Sequence, residues 1–226
     1  MRKYAFADEN GKTPDNIQLK PGKYLAKAGS KNDLMLRIVH ASGESPEMAA
    51  LVNIEDQATH PMKLYSIQQW LVDPNATDGK VYMIVKEVEA PVVRLEQKLE
   101  FAIAALSNLN DNDAFKKWAD GWLTNADRGK DTTMAINKIV KEELEGINSL
   151  VAMGVSTGYS HEEMQQKIDL FTRIEAVTEA AALAVDAPKS DENVSRLLVK
   201  ATENIQKVNK ETNLVDLAEK ICAENK

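Results

Sequence analysis

A single cysteine, Cys222, rules out an intrachain disulfide. The fold must therefore rest on packing and hydrogen bonds rather than on a covalent framework. One cysteine also fits a reducing compartment, and the expected location is the cytoplasm. Aromatic residues make up only 5% of the chain. A core poor in Phe, Tyr and Trp has to be built from Leu, Ile, Val, Ala and Met, which favours helix-on-helix packing over an aromatic-rich sandwich. No apolar run approaches the ~18 residues of a membrane span. Residues 1–6, MRKYAF, lack the apolar segment of a secretory leader. No membrane partner is expected.

The motifs of common chemistries are missing as well. There is no GxGxxG and no phosphate loop. Gly129-Lys130-Asp131-Thr132-Thr133 places a lysine beside a hydroxyl at a helix start, but it has no upstream glycine and no preceding strand. Gly154-Val155-Ser156-Thr157-Gly158 matches Gly-x-Ser-x-Gly letter by letter. A nucleophile elbow needs a strand before it, whereas a helical stripe precedes this one, so it reads as a helix end and loop. Asp111-Asn112-Asp113 opens like a calcium loop, yet Lys116 and Trp122 stand where Gly and Glu are required. His161-Glu162 lacks the second histidine of a zinc helix, because position 165 is Gln. No cofactor and no metal is expected.

Proline is scarce in one part only. Six of the seven prolines lie at or before Pro91 and only Pro188 follows, and this break divides the chain into two grammars. Residues 1–90 show short β-type runs between turn clusters. Strands are expected at 2–7, 23–28, 34–40, 49–54 and 80–88, the last with Tyr82, Ile84 and Val88 alternating against Val81, Met83 and Val85. Residues 62–72 fit helical spacing as well as a strand face, and the turn cluster that follows at 73–79 tips the reading to strand. Residues 91–226 show helical periodicity. Leu95, Leu99, Ala102, Leu106 and Leu109 form the first stripe. A short helix over 114–123 is expected to be capped by Asp111 or Asp113. Longer helices follow at 132–153 and at 161–185, the latter opened by a Ser160/Glu163 capping box. Two more are expected after Pro188, with stripes Val194, Leu198, Ala201, Ile205, Val208 and Leu214, Leu217, Ile221.

The expected fold is α+β. A small antiparallel β-sheet or barrel over residues 1–90 is followed by an acidic antiparallel bundle of five or six helices over 91–226.

Charge follows the same division. The net charge is −7. Residues 1–90 carry 11 basic and 12 acidic side chains, and residues 91–226 carry 17 and 23. Diffuse phosphate binding by the helical part is disfavoured, because such affinity comes from Lys and Arg displacing counterions. A local basic patch in the first part can override the net charge.

Three functional readings follow. The leading one is a non-enzymatic protein-binding module of the inhibitor, adaptor, immunity or anti-defence type, at home on a phage or mobile element. Its expected anchor is Phe115, Trp118 and Trp122, three and four apart on one helix face, followed by a loop carrying Arg128. Tryptophan and arginine are enriched in binding hot spots, although a core role for the same aromatics is the plainer reading. The partner is another protein, or a second copy meeting the heptad-patterned seam. The second reading is nucleic-acid association through the basic β-part, with Lys23, Lys27 and Arg37 as candidates; Tyr24 alternates with Lys23 and so points to the other face. The third is an enzyme with its site in the groove between the two parts, using scattered residues such as His40, His60, Glu44 or Asp120, for which no catalytic constellation emerges.

Overall fold

The computed structural model describes residues 2–30, 33–38, 42–53, 62–72, 79–109, 112–154, 158–186, 192–203, 205, 209 and 212–223. The architecture is α+β: an antiparallel sheet near the N-terminus, then helices. The chain divides into two compact units, one of Met1–Arg94 with Asn213–Lys226 and one of Leu95–Thr212. The sheet unit thus includes the last helix, which a boundary at Pro91 assigns to the bundle.

In the sheet unit the strands are β1 (Arg2–Ala7), β2 (Gly22–Lys27), β3 (Ser42–Gly43), β4 (Lys63–Leu71) and β5 (Lys80–Val88). They stand in the order β2-β5-β4-β1-β3, every pair antiparallel. Alternation drives this arrangement, since successive side chains leave opposite faces. One face carries Ala5, Ala7, Tyr65, Ile67 and Val85. It is plugged by Ile17 and Leu19 from the β1–β2 connection and by Leu34 and Ile38. On the other face Phe6 and Leu64 pack with Ala49 and Ala50, closing one end.

Two expected strands are helices. Leu34–Arg37 is a single helical turn, α1, not a strand. Its alternating Leu34 and Ile38 reach the core from a turn, as the Ile38 N–H donating to Leu34 O shows. The described part of the expected strand at 49–54 is not a hairpin return either, because Pro46–Leu51 forms helix α2, and residue 54 lies outside the described residues. Here the start signals prevail: Ser45 Oγ accepts the Met48 N–H at 3.1 Å, Pro46 sits in the first turn and Glu47 follows it. β3 runs so close to α2 that a Cβ on Gly43 would lie 2.6 Å from the Ala49 nitrogen. The last helix, α8 (Leu214–Ala223), packs on α2 and buries Leu214, Ala218 and Ile221.

The helical unit contains α3 (Leu95–Ser107), α4 (Asp113–Leu123), α5 (Lys130–Ala152), α6 (His161–Asp186) and α7 (Glu192–Thr202). α4 is capped by Asn112, not by Asp111 or Asp113: its Oδ1 accepts the Phe115 N–H at 2.9 Å while its Nδ2 donates to Glu143. The Ser160/Glu163 capping box forms in both directions, at 3.2 and 2.7 Å. The bonds to Ser160 hold the Glu163 carboxyl below its usual range. α6 is the central helix, touching α3, α5 and α7. Arg173 on it donates to the carbonyls of Ala201 and Glu203 at the end of α7. No helix among the described residues is long and apolar enough to cross a membrane.

Candidate nucleic-acid interface

The site begins with the hairpin of β4 and β5. Its register sets Leu64 opposite Val88 and Trp70 opposite Tyr82. On the far side of β5, β2 sets Lys23 opposite Ile84, Leu25 opposite Tyr82 and Lys27 opposite Lys80. On the far side of β4, β1 sets Arg2 opposite Gln68 and Tyr4 opposite Ser66. Directly opposed residues of an antiparallel pair share a face. One face therefore reads, row by row, Lys27–Lys80, then Leu25–Tyr82–Trp70, then Lys23–Ile84–Gln68–Arg2, then Lys86–Ser66–Tyr4, and last the Val88–Leu64–Phe6 end, where Leu64 and Phe6 are buried and Val88 half-buried. Rows lie roughly 6.7 Å apart and strands roughly 4.8 Å apart.

The last row is closed over by α2, and Tyr4 of the row before it is half-buried against the same cluster. The rest is open. Trp70 is 41% exposed and Leu25 60%, while Lys23, Lys27, Lys80, Lys86 and Arg2 are all exposed. The Trp70 and Tyr82 rings lie 5.0 Å apart at 58°. Five cations share this face, and among the strand residues no carboxylate does. Lys27 directly opposite Lys80 is a like-charge cross-strand pair, which costs stability.

Of the residues expected from sequence, Lys23 and Lys27 belong to this face. Arg37 does not join them. It stands on α1, whose Leu34 and Ile38 cover the opposite face, and it borders a pocket of about 290 Å³ with Lys20, Tyr24 and Met83. Tyr24 is on that opposite face, as its alternation with Lys23 requires. Arg2, Lys80, Lys86, Trp70 and Tyr82 were not singled out by sequence. The signal lay in the hairpin: folding the two strands symmetrically about the turn cluster at 73–79 pairs position 70 with position 82.

The aromatic anchor expected on α4 is core. Phe115, Trp118 and Trp122 are 0%, 5% and 4% exposed. Their rings pack in series at 5.6 and 5.5 Å, and the Trp118 indole N–H donates to Thr133 Oγ1 at 3.2 Å. Arg128 is an internal clamp: Nε donates to Trp122 O and a terminal nitrogen to Glu100 Oε1, both at 2.9 Å. Its guanidinium carbon lies 5.7 Å from the Trp122 ring centre. The three-and-four spacing produced one apolar face, and neighbouring helices cover it.

Glu44 and Asp120 are exposed and lie in different units. His40 and His60 lie outside the described residues, and so does the middle of the Gly154–Gly158 segment. His161 is an exposed first-turn residue and Cys222 is half-buried. Among the described residues no group of His, Cys, Asp or Glu is placed to hold a metal ion. Comparison with protein-family models, with curated proteins and with solved structures finds no match to this chain.

Proposed function

We propose that this chain is a nucleic-acid-associated protein that binds through the open face of its sheet. The observation that carries the reading is the segregation of charge: five cations and no strand carboxylate on one exposed face, in a chain of net charge −7. Uniform acidity would repel a polyanion. A local cationic face within it gives orientation, since the rest of the surface turns the polymer away. The cytoplasm suits this role, and the lone Cys222 fits a reducing setting.

Binding of a fluorescein-labelled oligonucleotide followed by anisotropy tests the reading. If all five cations meet phosphates, the slope of log K against log salt is about −3.5, so affinity falls roughly 100-fold between 50 and 200 mM salt. No binding at 50 mM would end the proposal.

A second reading keeps the protein partner but moves it away from Trp118 and Trp122. Helices α5 and α6 run for 23 and 26 residues, about 34 and 39 Å. Beyond Val140 no α5 residue is buried. Between the two helices lies an open groove of about 890 Å³ lined by Met134, Ala135, Ala182 and Leu183, with Met134 and Leu183 exposed. An inhibitor, adaptor or immunity-type factor would engage its target there. Met134→Glu with Leu183→Glu should lose a partner that the wild-type chain retains from native lysate; equal recovery by both removes this groove from consideration.

A further inference from the structure

We infer that the open face selects unpaired strands: its ligand is a single-stranded polynucleotide whose bases lie on Trp70 and Tyr82. The inference rests on the nucleic-acid reading above and deepens it by naming the state of the strand. Charge does not make this choice, because a duplex offers at least as many phosphates per unit length as a single strand. The ring pair does. Stacking on a side chain needs a free π-face, and a duplex keeps its bases stacked on one another, whereas a single strand can splay them out.

The geometry places the rings where such a strand would need them. The Trp70–Tyr82 row stands between Lys27–Lys80 on one side and Lys23 and Arg2 on the other. The cationic rows are each roughly 6.7 Å from it. A base on the rings therefore has cations near the phosphates before and after it. Leu25, on the edge strand beside Tyr82, extends the apolar floor. The rings tilt at 58°, so Trp70 packs on its neighbour yet stays 41% exposed. Among the described residues of the sheet unit, no helix is poised to enter a duplex groove: α1 packs on the opposite face, and α2 closes the far end with α8 upon it. Stacking tolerates every base, since each has a π-face, so little sequence preference is expected.

DNA and RNA strands share this chemistry, and the probes separate them. Four are needed: a dT oligonucleotide of about ten nucleotides, which is within the site size of small β-domains, its U counterpart, a duplex of equal length, and the dT strand with abasic sites at its centre. The single strands should bind at least about 10-fold tighter than the duplex, and the abasic strand should lose roughly 5- to 150-fold. Trp70→Ala should lose a similar factor on the intact strand and little more on the abasic one, while Trp70→Phe recovers much of the loss. A preference for U or for dT identifies the natural polymer, and either supports the inference. Duplex bound as tightly as single strand, or abasic strand bound as tightly as intact, overturns it and leaves the broader reading standing. Binding of none of the four at 50 mM salt removes both.

Discussion

Replacing Trp118 by alanine is expected to lower the stability of the helical unit by about 3–5 kcal/mol, the usual cost of deleting a large buried aromatic. The indole is 5% exposed and packs against both Phe115 and Trp122. Its loss leaves a cavity on the face of α4 that packs beside α3 and α5. The Thr133 hydroxyl would still donate to Gly129 O at 2.9 Å, but it would lose the donor it accepts from Trp118. Trp118→Phe separates the two effects, keeping most of the packing and forfeiting the hydrogen bond, a loss of about 1 kcal/mol. A solvent-facing anchor would behave otherwise, since surface substitutions stay within about 0.5 kcal/mol. The measurement is denaturant unfolding followed by tryptophan emission in a Trp70→Phe background, where Trp118 and Trp122, the remaining tryptophans, both report on this unit. A loss of 3 kcal/mol or more takes a large share of the ~5–15 kcal/mol that holds a typical domain together.

The second large effect concerns binding. Lys23→Glu, Lys80→Glu and Lys86→Glu together are expected to weaken oligonucleotide binding by at least roughly 500-fold at 50 mM salt. Each phosphate neutralised on a single strand contributes a factor of about 8 there, from a salt exponent of about 0.7 per contact. Three lost contacts multiply, and three new negative charges add repulsion. The triple variant should nonetheless stay folded. All three lysines are exposed, and Glu at position 80 would face Lys27 across the strands, replacing a like-charge pair by an opposite one. Thermal unfolding should show an unchanged or higher midpoint alongside the lost anisotropy signal. Retained affinity in the triple variant would exclude this face as the binding surface.

Much of the fold was legible in the sequence, and the reasons are local. β5 announces itself because Tyr82, Ile84 and Val88 alternate against Val81, Met83 and Val85, a period only a strand satisfies. α6 announces itself because Ser160 and Glu163 complete a reciprocal cap before a 3.6-period run. The misread segments are short ones, where two grammars overlap. Residues 34–38 alternate like a strand, yet in a single helical turn Leu34 and Ile38 also fall on one side. Ser45-Pro46 reads as a break and is equally a helix start. The binding face was harder to see for another reason. Tyr82 meets Leu25 on β2, more than fifty residues earlier, and no local pattern states that pairing. Lys23 and Lys27 could be placed on one face of their own strand, but their aromatic neighbours lie on strands that only the sheet order brings alongside.

That α8 belongs to the sheet unit also orders events at the ribosome. The helical unit is one unbroken stretch, Leu95–Thr212, while the sheet unit is made of chain from both sides of it. At about 5–20 residues per second, synthesis of those 118 residues separates the emergence of β5 from that of α8 by roughly 6–24 s. For that interval α2 waits without the Leu214, Ala218 and Ile221 surface that packs on it, although the helical unit can already be complete. Of the two units, the one whose synthesis starts first is therefore the last to be finished.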